Sequence, residues 1–363
     1  MKFQDEFRDK GLVRNMAANI RRMAKRLTAP VNFMEVCGTH TMSIYQYGLR
    51  SLLPDTVRLV SGPGCPVCVT PVGYLDQALS CAADPRNIVA TFGDMLRVPG
   101  SRSSLMEERA RGADIRIVYS SLDALALAKN NPDRQVVFLG IGFETTAPTV
   151  AASILEAARL GLGNYCVLAA HKTMPLAMEI LTADPELNLG GYLCPAHVST
   201  VIGANAYKPL AEKHRIPCVV TGFEPADVMQ GIEMLLAQVL AGESRVEIQY
   251  SRAVSWEGNP KAQRILELVF EPCDAVWRGL GNLPGSGLTI RPELAAFDAR
   301  KALKLAAAEE RENPACRCGE VLKGKLTPLE CPLFDKACTP ETPVGACMVS
   351  SEGTCAAAHR YGR

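Results

Sequence analysis

With 363 residues, 48% hydrophobic and 21% charged, the chain has enough apolar material for a sizeable core, which excludes wholesale disorder. A net charge of +1 gives no bulk electrostatic case for nucleic acid or an anionic membrane. No apolar run reaches the ~18 residues a membrane helix needs, and the opening MKFQDEFRDKG lacks an apolar signal core, so a cytoplasmic protein is expected.

In chain order, residues 1–28 read as one or two amphipathic helices, with Met16, Ile20, Met23 and Leu27 at helical spacing. Then a rhythm begins. Short β-branched runs end in Gly, Cys or polar turns, and each is followed by a helical stretch. The runs are VNFMEVCG, VRLVSGPG, NIVATFGD, IRIVYSS and QVVFLGIG. After a helix expected at about 147–160, the rhythm restarts with YCVLAAHK, GGYLCPAH, PCVVTGFEP and RVEIQYSR. Strands alternating with helices predict β-α-β units and parallel sheets. The fold class is therefore α/β: two similar parallel-sheet domains, 29–146 and 147–254, facing a shared cleft. The segment 1–28 is expected to pack with a third domain, 255–363, mostly helical or irregular. In that third domain ELAAFDARKALKLAAAEE reads as one strong helix.

Ligands of open parallel sheets bind beyond the carboxyl ends of the strands. CGTH, GPGCPVC, FGDM, GFETT, CPAH and GFEP all fall there, so six loops are expected to face the cleft. Fourteen cysteines in a reducing compartment suggest metal or redox chemistry over structural disulfides. Cys81, Cys166, Cys194, Cys218 and Cys273 sit mostly in apolar runs and read as small core residues.

Cys316, Cys318, Cys331, Cys338, Cys347 and Cys355 crowd the tail, among Pro and Gly. Neither paired zinc-ribbon knuckles nor the bacterial ferredoxin run is present. Six thiols in a segment with so little apolar material point to an iron–sulfur cluster, with zinc as the alternative. Spacing does not decide which four ligate; Cys318, Cys331, Cys338 and Cys347 are the first choice.

In SGPGCPVCVTP, glycines allow close backbone approach and prolines stiffen the turn. Pro71 and the glycines predict a loop instead of the helix start usual for redox C-x-x-C pairs. Cys65 and Cys68 remain open as redox pair, metal ligands or inert turn residues. Cys37 lies three residues before His40 and suits a thiolate with a base or proton carrier, although a structural histidine reads equally well. Cys37, Cys65 and Cys68 end consecutive strands, and three converging thiolates make a soft metal site. Thr145 or Thr146 can cap the following helix, with Pro148 in its first turn and Glu144 facing the cleft. Asp94 and Arg97 end another strand and read equally well as a surface ion pair; His197, Glu224 and Asp227 repeat the placement as weaker signals, because spacing alone does not bring them together. No phosphate-binding loop or serine-hydrolase elbow occurs.

MEVCGTHT, SGPGCPVCVTP, GFETTAPT, VTGFEPAD and the tail CRCGEVLKG…CPLFDKACTPETPVGACMVSSEGTCAA together resemble the HypD family, across nearly the whole chain. That resemblance implies a scaffold for nickel–iron hydrogenase maturation. It implies a small partner, HypC, and an iron bearing two cyanides and one carbon monoxide. HypE supplies cyanide from a thiocarboxamide made by HypF, and the finished unit passes to the hydrogenase large subunit. It also implies that Cys37, Cys65 and Cys68 are iron-binding or redox thiols, and that the tail holds a 4Fe-4S cluster feeding electrons to a disulfide. Two other readings stay open: a cluster-driven thiol–disulfide oxidoreductase without mononuclear iron, and a purely structural platform.

Overall fold

The computed structural model describes residues 5–306 and 312–362. All nine β-branched runs are strands: β1 (Val31–Glu35), β2 (Val57–Ser61), β3 (Asn87–Thr91), β4 (Ile115–Ile117), β5 (Gln135–Gly142), β6 (Tyr165–His171), β7 (Leu189–Pro195), β8 (Cys218–Thr221) and β9 (Val246–Ile248). They form two fully parallel sheets, ordered β2-β1-β7-β8-β9 and β4-β3-β5-β6. The α/β class is as expected. Among the described residues no helix is long and apolar enough to cross a membrane.

The expected boundary at 146/147 does not divide the sheets. The chain lays down β1 and β2, builds the second sheet with β3 to β6, and returns to set β7 beside β1. The helix expected at that seam exists as Ala147–Arg159 and connects two adjacent strands of one sheet, β5 and β6. Both sheets are buried on two faces, so their strands carry interchangeable apolar runs that do not specify a partner.

The N-terminal helix Lys10–Ala24 does not pack with the tail. Its stripe of Val13, Ala17, Ile20 and Ala24 lies in one core cluster with Leu193, Val219 and Ile232, against the helix Pro225–Ala241. Burying a side chain such as Ile20 stabilises by about 1.5–3 kcal/mol, and this sheet face is the apolar surface available to it. Arg8 adds an ion pair to Glu224 at the start of that helix.

The third segment is not free of sheet. After the helix Pro260–Val269, β10 (Phe270–Trp277) and β11 (Gly281–Ile290) form an antiparallel hairpin. Pro272, Pro284 and the three glycines of 281–287 hid these strands, because such residues are poor strand formers. Tertiary contacts compensate. Thr173 donates its backbone N–H to Ser286, Trp277 is fully buried, and its indole N–H bonds the Ser286 hydroxyl at 2.8 Å. ELAAFDARKALKLAAAEE is not one helix: a 3-10 turn, Pro292–Phe297, precedes a short helix, Ala299–Ala302. Asp298 is extended between them and caps the second by accepting from the Arg300 N–H. The end of that run, 307–310, lies outside the described residues.

Candidate functional site

Cys37 lies two residues beyond the end of β1 and is the N-cap of the helix Gly38–Gln46. The turn after β2 lies against it. Gly62 donates its N–H to the Glu35 carbonyl at 2.7 Å, and Gly38 donates to the Gly64 carbonyl at 2.9 Å. A side chain at Gly64 would collide with the backbone of Cys37, so glycine is what permits the close approach. The expected neighbourhood of the two cysteine loops is therefore present.

The C-x-x-C pair does not sit in a plain loop. Cys65 caps a one-turn helix, Pro66–Val69, and its sulfur accepts the Cys68 N–H at 3.2 Å. Pro66 occupies the first helical position, where its missing N–H costs nothing. Pro71 sits at the cap of the next helix, Val72–Ala83, and interrupts neither. Cys65 and Cys68 form a disulfide with Cα atoms 5.2 Å apart, and both are buried. Arg278, in the turn between β10 and β11, fixes the end of the C-x-x-C turn: its backbone N–H donates to the Val69 carbonyl and its Nε to the Thr70 carbonyl, both at 2.9 Å.

Two carboxyls that the motifs did not single out flank Cys37. Glu35 is fully buried behind it, accepting the Thr41 hydroxyl at 2.6 Å and the Cys37 N–H at 3.3 Å. Burial pushes the Glu35 carboxyl up to about 7, against the pull of the Thr41 and Ser61 hydroxyls. Glu352 arrives from the tail, packs where Gly38 lacks a side chain, and accepts the Thr39 hydroxyl at 3.0 Å. Burial pushes the Cys37 thiol up to about 12, and the Glu352 charge adds to this; the Thr39 and His40 N–H groups pull the other way. The Glu in MEVC was visible beside the cysteine, whereas SSEGT carried no signal for Glu352.

His40 is structural. Its Nε2 bonds the carbonyls of Thr221 and Gly222 at 2.9 and 3.0 Å, and so carries the proton. Burial lowers the imidazole to about 4, which removes it as a base poised at neutral pH. His40 and the exposed His197 both contact the Phe223 ring, so CGTH, CPAH and GFEP do converge. Glu144 turns inward instead of into an open cleft. Its Oε1 accepts the Met174 N–H at 2.9 Å, capping the helix Met174–Thr182, and burial pushes it up to about 7. The Thr146 side chain does not cap its helix but bonds back to the Ile141 and Phe143 carbonyls. Pro148 is in the first turn, as expected. Asp227 is buried under Arg252 and Gln249 and belongs to a capping box with Glu224. Asp94 accepts the Ser350 hydroxyl, and Arg97 donates to the Pro340 and Val349 carbonyls, so FGDM clasps the tail.

All six tail cysteines line one small cavity, closed by Leu333, Phe334 and Met348. The Cys318 and Cys347 sulfurs are 2.9 Å apart. Neighbouring Cys316 and Cys347 hold Cys318 well below the usual thiol value, and are themselves pushed up in exchange. Among the described residues no three Cys, His, Asp or Glu form a ready single-ion site. The tail cavity meets the C-x-x-C turn directly: the Cys68 sulfur lies 3.8 Å from the carbonyl oxygen of Ala346, the residue before Cys347. Cys81, Cys166, Cys194 and Cys218 are core residues, as expected; Cys273 is only half-buried.

Parallel sheets carrying a buried thiol, a disulfide and a cysteine-lined cavity in contact define a thiol-based protein of the α/β class. The family model described as "HypD: Hydrogenase formation hypA family" matches residues 11–362. Hydrogenase maturation factors HypD of Azotobacter vinelandii and Rhizobium leguminosarum bv. viciae are 49% and 47% identical to it, over all of this chain and 97% and 96% of theirs. That of Escherichia coli K12 is 45% identical over 99% of this chain and 98% of its own. The chain belongs to the HypD family of hydrogenase maturation factors.

Proposed function

We propose that the chain is the scaffold on which the iron unit of a nickel–iron hydrogenase is assembled, in complex with the small partner HypC. The cargo is an iron bearing two cyanides and one carbon monoxide, with HypE as cyanide donor and the hydrogenase large subunit as recipient through HypC. Cys37 is the iron-binding thiol, and Cys65 with Cys68 is a redox pair that joins it as ligands when reduced. The carrying observation is the unbroken contact from the Cys37 loop through the Cys65–Cys68 turn to the tail cavity.

Six soft donors around an apolar pocket fit a 4Fe-4S cluster, with four of the tail cysteines as ligands. When bound, such a cluster supplies single electrons. Reducing the Cys65–Cys68 disulfide takes two electrons and two protons and leaves two thiols. Cys68 faces the tail and is the sulfur through which that reduction is received, while Cys65, at the cap, is stabilised as thiolate by the Cys68 N–H. Glu35 and Glu352 are the carboxyls placed to receive the Cys37 proton when iron binds.

The test is infrared spectroscopy of the anaerobically purified complex with HypC. A Cys37→Ala protein should keep its tail cluster and lose the cyanide and carbonyl bands; retention of the bands would overturn the role of Cys37. The C-x-x-C pair opening a helix also favours a second reading, a thiol–disulfide oxidoreductase without mononuclear iron. Iron analysis of the cluster-free form separates the two.

A further inference from the structure

A cavity of about 290 Å³ lies between the outer edge of β6, the helix Val72–Ala83 and the β10–β11 hairpin. Its volume is at the lower end of small-molecule pockets, roughly 300–1,000 Å³, which suits a small metabolite better than a nucleotide. His171, Lys172, Arg300, Gln77 and Cys273 are in its wall. Among the described residues, the three basic side chains of the wall share it with one carboxylate, Asp274, which is exposed and accepts the Gly285 N–H.

The cations are held in place. Lys172 is buried and donates to the Val276 carbonyl at 2.6 Å. Arg300 donates Nε to Gln77 at 3.1 Å and Nη1 to the Ala169 carbonyl at 2.6 Å, which fixes the guanidinium plane. The Cys273 thiol feels both: Arg300 and Lys172 pull it down against the larger effect of burial. His171 is 1% exposed, and among the described residues neither ring nitrogen has a hydrogen-bond partner. Burial, with Lys172 beside it, keeps this ring neutral, so it offers one N–H and one lone pair. A buried imidazole without a partner costs free energy that a bound polar ligand would recover.

We propose that this cavity binds a small organic or inorganic oxyanion, a carboxylate or a phosphate, held by Arg300 and Lys172 with His171 as a further polar contact. Arginine and lysine lining one cavity recognise these two groups through the same charge-assisted hydrogen bonds. This site is separate from Cys37 and from the tail cavity, and its occupancy does not depend on the assembly reading.

Trp277 serves as the reporter, because the Lys172 ammonium lies 5.4 Å from its ring. Trp256 is the chain's other tryptophan, so a Trp256→Phe protein emits from Trp277 alone. That protein is titrated with inorganic phosphate and, separately, with succinate, at ionic strength held constant with chloride. The expected result is a saturable change in emission with at least one of them, and the stronger arm names the class. Arg300→Gln should weaken the apparent affinity about tenfold or more. Unsaturable responses equal to that of chloride, or an Arg300→Gln protein that binds as tightly as its parent, overturn the site. A second readout needs no variant at Arg300, which also supports the fold. Alkylation of Cys273 by iodoacetate should be suppressed by saturating anion, and unprotected alkylation overturns the site as well.

Discussion

The sulfur of Cys68 points at the backbone of the cysteine tail, 3.8 Å from the Ala346 oxygen, while its disulfide partner Cys65 follows the glycine that touches Cys37. One side of the pair thus faces the tail cavity and the other faces the thiol at the end of β1. This arrangement makes the redox state of the pair measurable. Thiol counting in denaturant should find one more free thiol in Cys65→Ser than in the wild-type chain, because Cys68 is released. An equal or lower count would show that the disulfide does not form in solution.

Gly64→Ala tests the packing between the two loops. The added methyl meets the Cys37 backbone, which cannot move without shifting the start of the helix Gly38–Gln46. Overpacking of this kind costs about 1–3 kcal/mol. Urea denaturation should show that loss, whereas Gly163→Ala, which meets nothing within 4 Å, should change stability little.

Glu144 gives a pH signature. Its carboxyl is raised to about 7 in the folded chain from an ordinary value of 4.5, so the folded state favours the proton. The stability it contributes is present in full below about pH 4.5 and lost as pH rises through about 7. The loss is of order 2–3 kcal/mol. Glu144→Gln keeps an acceptor for the Met174 N–H and removes the ionisation. Its urea midpoint should therefore fall less than the wild-type midpoint between pH 4.5 and 7; parallel curves would remove Glu144 as the cause.

His40 should behave as a strut. Proton NMR should show its ring signals flat between pH 5 and 8, since the imidazole titrates near 4. His40→Ala removes the bonds to Thr221 and Gly222 and leaves those carbonyls unsatisfied, at a cost of about 1–3 kcal/mol. A titration near pH 6.5 would restore it as a candidate base.

The tail is tested by iron and sulfide analysis after anaerobic reconstitution. Cys318→Ser and Cys347→Ser, whose sulfurs touch, should each lower bound iron severalfold. Cys81→Ser, buried in the core, should leave the iron content of the folded protein unchanged. Equal iron in all three would remove the cavity as the cluster site.

Much of this was legible in the residues themselves. Every β-branched run became a strand, every candidate loop fell at a strand's carboxyl end, and the six tail cysteines shared one cavity, because period, turn chemistry and composition act locally. Partner choice did not act locally. β1 pairs with β7 across the 153 residues between Glu35 and Leu189 because two doubly buried sheets present equivalent apolar runs, and only packing of the whole chain selects among them. The hairpin built from glycines and prolines was invisible until the edge at β6 gave it something to lie against and its own Trp277 was buried. The same holds at the site. The residue types in CGTH and GPGCPVC announced thiol chemistry, but tertiary structure decided the rest: it buried Glu35 behind Cys37, brought Glu352 over Gly38 from the far end of the chain, and turned His40 and Glu144 into supports. A side chain's role depends on what removes it from water and what satisfies it there, and that is settled by neighbours that lie far away in the sequence.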